Sequence, residues 1–421
     1  MTIVASHDIT SRYTPGSTTH HEAPRAARVR SLDVVRGAVM VLMALDHVRW
    51  FVSDARFDPT DLTKTTVALF LTRWVTHFCA PAFVFLAGTG AYLHGERLGG
   101  RAELSRFLAT RGAWLVLIEM TVVRLGWTFN VDYAHYLFGG VIWMIGWCMI
   151  VMAALAWLPP AAVGCFGVAM IAGHNLLDGV LPDLAPAAQG GDWRRLWQIL
   201  YLGGPVRLGD GGPVLAVLFV VVPWVGVMAA GYAFGPVMRM SPERRRRLCL
   251  WLGAGLVAAF VALRAANLYG DPRPWGPQRS PAFTALSFVN TTKYPASLLF
   301  LLMTLGPTVA ILPLLERARG RAARALALFG RVPFLYYVLY VLHLPLIHGV
   351  AVLLALTRYG TVIPWLTANQ PMLAPEPPAG YGYGLAVVYA VTLIVVAILY
   401  VPCRWLAGVK ERRRDRWLSF L

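Results

Sequence analysis

Ten apolar runs, each long enough to cross a lipid bilayer as a helix, divide this sequence and constrain its fold more than any other feature. They fall at about 31–52, 67–93, 107–127, 136–157, 160–178, 213–236, 248–268, 294–315, 333–357 and 383–407, because some 20 apolar residues match the hydrocarbon thickness. Composition agrees: 57% of the chain is hydrophobic and only 14% is charged, against about 25% charged in soluble domains. The expected fold is an all-α integral membrane protein of about ten transmembrane helices. Pro333 and Pro345 interrupt the ninth run, so 325–357 reads as one kinked helix or as two shorter pieces.

A net charge of +17 would suggest nucleic acid as partner of a soluble protein. Here the arginines fall in the short segments between runs, which is a topology signal, and nucleic acid is set aside. One set of segments holds Arg25, Arg28 and Arg30; Arg97, Arg101, Arg106 and Arg111; Arg239 with Arg244 to Arg247; Arg317, Arg319, Arg321 and Arg324; and Arg412, Arg413, Arg414 and Arg416. The opposite set holds scattered cations such as Arg56, Lys64, Arg194, Arg207, Arg279 and Lys293. The alternation fits ten spans with both termini in the cytoplasm. Residues 1–27 read as a disordered cytoplasmic arm without a signal peptide, 28–408 as the membrane domain and 409–421 as a basic tail. Cys79, Cys148, Cys165, Cys249 and Cys403 form no CxxC pair and read as small apolar residues. Loops 179–212, 268–293 and 358–382 are rich in Pro, Gly and Trp, a composition that often carries binding function on a rigid scaffold.

The first run carries four ionisable residues: Asp33, Arg36, Asp46 and His47. An offset of eleven returns to within about 20° of the same helix face after a rise of roughly 16 Å. Arg36 and His47 therefore share a stripe, with Asp33 one turn before Arg36. A charge at the centre of a membrane helix costs about 2.5–3.5 kcal/mol on insertion scales, so such a stripe points to more than an anchor. Topology sends Asp33 and Arg36 to the cytoplasmic side and His47 to the outer half. His77 in the second run is expected at a comparable depth, where two imidazoles could line one cavity and serve as general bases. Asp46 lies about 100° from His47 and is expected to meet another helix.

Further candidates are spread along the chain. Asp33, Arg36 and Arg111 form a cytoplasmic group suited to a phosphate-bearing ligand. Asn290, Thr291 and Lys293 open the eighth run, with Arg264 nearby on the outer side, and could bind sugar hydroxyls or an anion or simply cap a helix. Glu119 with Arg124 is a functional intramembrane carboxylate or one half of an ion pair. Gly88-Thr89-Gly90 reads as a helix-packing element. A metal site is not expected: His343 and His348 stand about 140° apart on a helix, and His47 with His77 is the one pair at matched depth.

Arg36, ten residues and then His47 resembles the signature of the acyltransferase-3 type of membrane acyltransferase. The fuller string Arg30-Ser-Leu-Asp-Val-Val-Arg-Gly37, Asp46-His47, His77-Phe-Cys-Ala-Pro-Ala-Phe-Val-Phe-Leu-Ala-Gly88 and Asn290-Thr-Thr-Lys-Tyr-Pro295 more closely resembles bacterial members of the heparan-alpha-glucosaminide N-acetyltransferase catalytic-domain family, over roughly residues 28–350. The resemblance implies transmembrane acyl transfer. Acetyl-CoA would bind from the cytoplasm with its phosphates near Asp33 and Arg36, and its acetyl group would meet an acceptor arriving from the periplasm. His47 would act as general base on an acceptor hydroxyl or amine, or as an acetyl carrier. The chain departs from the lysosomal enzyme of this family, which has Asn at the position of His47 and its catalytic His in the loop after the first span. Here that loop, 53–66, holds Asp54, Asp58 and Asp61 and no His. Either His47 or His77 has taken over the role, or the acetyl-His route does not apply.

The resulting expectation is a multi-pass protein of a bacterial inner membrane that acylates a periplasmic saccharide or similar acceptor, with membrane lipids and a second copy in a homodimer as its other partners. The rival reading is a multi-span transporter or permease for a small or lipid-linked solute. Internal symmetry and broken half-helices would favour it, and the sequence shows neither clearly.

Overall fold

The computed structural model describes residues 30–179, 192–331 and 335–412. The expected N-terminal arm, Pro333 and the tail beyond Arg412 lie outside them. Helices dominate, and among the described residues six are long and apolar enough to cross a membrane: Val67–Gly95, Pro160–Gly179, Pro242–Ala266, Leu298–Leu315, Leu342–Tyr359 and Leu385–Val409.

In chain order the elements are α1 (Arg30–Val52), α2 (Val67–Val75), α3 (Cys79–Gly95), α4 (Arg101–Ile118), α5 (Arg124–Thr128), β1 (Tyr136–Gly139), α6 (Val141–Leu155) and α7 (Pro160–Gly173). They continue with α8 (Asp192–Trp197), β2 (Gly204–Arg207), β3 (Val214–Val217), α9 (Val222–Phe234), α10 (Pro242–Ala266) and α11 (Pro281–Val289). The last four are α12 (Leu298–Leu315), α13 (Arg321–Arg331), α14 (Leu335–Tyr359) and α15 (Leu385–Arg412). Helix starts carry their own signals. Thr66 caps α2 and Ser297 caps α12 through side-chain oxygens that accept from backbone N–H groups, and Pro follows the cap in α10 and α11.

Two of the expected spans begin as strands. Residues 136–139 and 214–217 pair in parallel, Tyr136 opposite Val214 through Gly139 opposite Val217, and β2 adds an antiparallel edge. A short aromatic and β-branched run does not distinguish a buried strand from a helix by its period. The pairing also satisfies backbone groups that are covered by protein, the condition for irregular backbone at membrane depth. The all-α expectation thus holds for the bulk of the chain and misses this small sheet. The 325–357 region holds α13 and α14, and residues 332–334 between them, on which the choice between one kinked helix and two pieces depends, lie outside the described residues.

α1 is the central helix. It packs against α3, α12, α13, α14 and α15, and most of its residues are buried, including Asp33, His47 and Arg49. Backbones approach closely around it: a Cβ at Gly37 would sit 1.9 Å from the carbonyl oxygen of Leu326, and one at Gly330 would sit 1.7 Å from that of Asp33. The Gly88 motif makes the second such crossing. A Cβ there would lie 2.0 Å from the Met228 carbonyl oxygen on α9, and the Thr89 hydroxyl donates to Gly231 O at 2.9 Å, as small-residue packing between membrane helices requires. The periphery is apolar: Trp251, Leu393, Val401 and Trp405 are each more than 60% exposed, which suits a lipid-facing surface.

Candidate active site

A cavity of about 620 Å³ opens beside the C-terminal half of α1. Its walls come from α1 (Met43, Asp46, His47, Trp50), the start of α3 (Cys79, Ala80, Phe83), the small sheet and its flanks (Phe138, Leu218, Phe219), and Lys293 with Tyr294. The mouth is framed by loop residues 55–64 and 370–377. The second of these loops is Pro-rich, so it presents a rim at little entropic cost. Met43 is the lining residue of α1 nearest Arg36, which lies seven residues away along the helix, about 10 Å.

Asp46 is the polar centre of this wall. Its carboxylate accepts from Arg73 of α2, 2.7 Å to each oxygen, from Arg49 one turn along α1 at 3.0 Å, and from the Thr76 hydroxyl at 3.1 Å. The expected contact with another helix is therefore made by Arg73. Two guanidiniums against one carboxylate leave this wall cationic, and Lys293 adds to it. Among the described residues Lys293 makes no ion pair; its ammonium lies 5.2 Å from the Tyr294 ring.

His47 sits at the boundary of the cavity, buried, with its Nδ1 2.8 Å from Nε2 of His343 on α14. The two rings are nearly parallel, and Trp127 meets His47 edge-on with centroids 5.1 Å apart. His77 lies elsewhere. It is buried in the turn between α2 and α3, packs edge-on against Phe300 and does not line the cavity, so the pair of imidazoles at this depth is His47 with His343. His348 donates its Nδ1–H to Gly126 O at 3.0 Å and is stacked between Phe51 and Phe129.

The residues read as an acceptor group divide. Lys293 reaches the cavity. Arg264 instead donates to the carbonyls of Ser287, Phe288, Asn290 and Arg273, and Asn290 donates to Thr60 O. Thr291 is buried near the Met303 sulfur. These residues hold the loop that presents Lys293. Asp271 completes the hold by accepting from Thr292 N at 2.8 Å, the Thr292 hydroxyl at 2.9 Å and the Ser297 hydroxyl at 2.7 Å. The cap of the following helix is Ser297.

At the other end of α1, Arg36 donates to Leu86 O at 2.9 Å, lies 4.0 Å from Asp33 and packs against Gly90. Arg111 on α4 lies over Phe107, whose opposite contact is His94 at the end of α3. Glu119 is fully buried in a π-turn, with its carboxyl against Gly140 at the start of α6, and Arg124 binds Asn130 and Tyr136 O, so the two form no ion pair with each other. Among the described residues no group of three or more His, Cys, Asp or Glu side chains gathers as a metal-binding cluster.

Sequence reasoning missed Arg49, Arg73, Thr76, His343 and Gln370. The i, i+3 spacing of Asp46 and Arg49 was an available signal. Gln370, fully buried, accepts from Trp50 Nε1 at 3.2 Å and donates to Trp365 O at 3.0 Å, which fixes the mouth loop to α1.

Residues 28–268, more than half of the chain, match the family described as "Heparan-alpha-glucosaminide N-acetyltransferase, catalytic". No curated protein matches the chain significantly.

Proposed function

From the premise that the chain belongs to the heparan-alpha-glucosaminide N-acetyltransferase catalytic-domain family, a family of multi-pass membrane acetyltransferases that use acetyl-CoA, we propose that it moves an acetyl group from cytoplasmic acetyl-CoA to a hydroxyl or amine of a periplasmic saccharide. In this reading the protein has ten spans, both termini in the cytoplasm, and resides in a bacterial inner membrane. The observation that carries it is the cavity beside His47. It is large enough for a small acceptor, has the His47 imidazole at its boundary and reaches Met43, about two turns from Arg36 on the same helix.

The chemistry asked of the site is modest. A thioester is already activated, so the protein has to hold the acceptor, remove its proton and support negative charge on the carbonyl oxygen. In this reading His47 takes the proton. Arg73, Arg49 and Lys293 supply a cationic wall for the oxyanion or for an anionic group on the acceptor. Asp33, Arg36 and Arg111 are proposed to receive the donor's phosphates, Arg36 lying on the helix that leads to His47.

Sealed proteoliposomes test the sidedness. With labelled acetyl-CoA on the cytoplasmic side and an amino sugar on the other, label should reach the sugar. Transfer that needs both substrates on one side would reject the transmembrane route, and absence of transfer in every arrangement would reject acetyl transfer to this class of acceptor.

A further inference from the structure

The geometry points to His343 as the partner that sets the tautomer of His47 and carries its proton away from the acceptor cavity. The idea rests on the acetyltransferase reading above. His343 lies outside the family-matched stretch 28–268, and no resemblance assigns it a role.

Two observations carry it. The first is the 2.8 Å contact between His47 Nδ1 and His343 Nε2, which requires one ring N–H to donate to the other ring. If His47 is the donor, its Nε2 keeps a lone pair for the acceptor. The second is that the two imidazoles face different spaces. His47 borders the 620 Å³ cavity, whereas His343 borders a separate cavity of about 20 Å³ lined by Met40, Ala44, Phe329, Leu399 and Cys403. That volume is about the size of one water molecule, and of its lining residues only His343 and Cys403 carry a group able to hydrogen-bond one well. Met40 and Ala44 precede His47 on α1, so the small cavity lies toward the Arg36 end.

A histidine pair between two spaces matches a requirement of the reaction. When the acceptor heteroatom bonds to the acetyl carbon, the C–S bond breaks and its electron pair goes to sulfur. The acceptor proton passes to His47 Nε2, the Nδ1 proton of His47 passes to His343 Nε2, and the proton on the other His343 nitrogen goes, through water, to the thiolate. Atoms and charge balance without a further reactant. Asp46 and Arg49 of α1, Arg73 of α2 and Lys293 are the charged groups acting on His47. None of them stands between the two rings in the 2.8 Å contact.

The test uses the full-length protein with labelled acetyl-CoA and an amino-sugar acceptor, comparing His343→Gln and His343→Ala with wild type. His343→Gln should lose at least 100-fold in kcat, with both KM values within threefold, and free imidazole should restore His343→Ala at least tenfold. Carbethoxylation of His47 by diethyl pyrocarbonate, read by mass spectrometry, should slow at least threefold in His343→Ala. A His343→Gln kcat within threefold of wild type overturns the role, as does unchanged carbethoxylation of His47. If wild type transfers no acetyl group, the acetyltransferase reading fails, and the carbethoxylation rate still decides whether His343 controls His47.

Discussion

Arg73 places one guanidinium nitrogen 2.7 Å from both carboxylate oxygens of Asp46, joining α2 to α1 beside His47. Both side chains are less than 20% exposed. Removing one member of such a pair leaves a charge with little water around it, at a typical cost of 3–5 kcal/mol. Asp46→Ala should therefore lower the thermal unfolding temperature in detergent markedly, because Arg49 and Arg73 are left facing each other. Arg73→Lys, which keeps a charge that can face the carboxylate, should lose less. Equal unfolding temperatures for Asp46→Ala and wild type would show that the pair does not hold these helices together.

The crossing of α3 with α9 depends on a missing side chain. A Cβ at Gly88 would lie 2.0 Å from Met228 O, and one at Gly231 would lie 2.0 Å from Phe85 O. Gly88→Val must push the helices apart and is expected to abolish a monodisperse gel-filtration peak. Gly100, where a Cβ meets nothing within 4 Å, should accept Ala with no change in that peak.

Lys293 is held toward the cavity by a loop anchored on Asp271 and Arg264. Lys293→Met should raise the acceptor KM about tenfold, equivalent to ~1.4 kcal/mol, and leave the acetyl-CoA KM within twofold. Asp271→Ala should act in the same direction by releasing Thr292 and Ser297. Steady-state kinetics with each substrate varied in turn separates the two effects. A donor-side change for Lys293→Met would place the residue in the wrong half of the reaction.

Arg36 is expected to report on the donor. Arg36→Ala should raise the acetyl-CoA KM at least tenfold, while desphospho or truncated donors, which lack the charge it would meet, should lose that discrimination. Because Arg36 also donates to Leu86 O, Arg36→Lys is the control for packing: a shared thermal transition with wild type isolates the ligand effect.

Much of the scaffold was legible because lipid allows few solutions. Apolar runs of bilayer length located α1, α7, α10, α12 and α15, with ends off by up to six residues. The packing role of Gly88 followed from its small neighbours. The strands at 136–139 and 214–217 were not legible, since four apolar residues carry no periodicity that separates strand from helix. The site was half legible. Asp46 and His47 stood out as costly charges on a membrane helix, yet their partners could not be read. Arg73 shares no local pattern with Asp46, and His343 lies 296 positions from His47 in a run that shows only that it is apolar. The surroundings of Arg264 could not be read for a related reason: a buried arginine satisfied by four backbone carbonyls looks, in sequence, like one waiting for a ligand.

The central claim is that His47 removes the acceptor proton during acetyl transfer, and the rate of labelled acetyl transfer by purified His47→Ala tests it most directly. With folding verified by an unchanged thermal transition, the account predicts a rate 100- to 10,000-fold below wild type, the range that general acid–base catalysis supplies. A His47→Ala rate equal to that of wild type would contradict it.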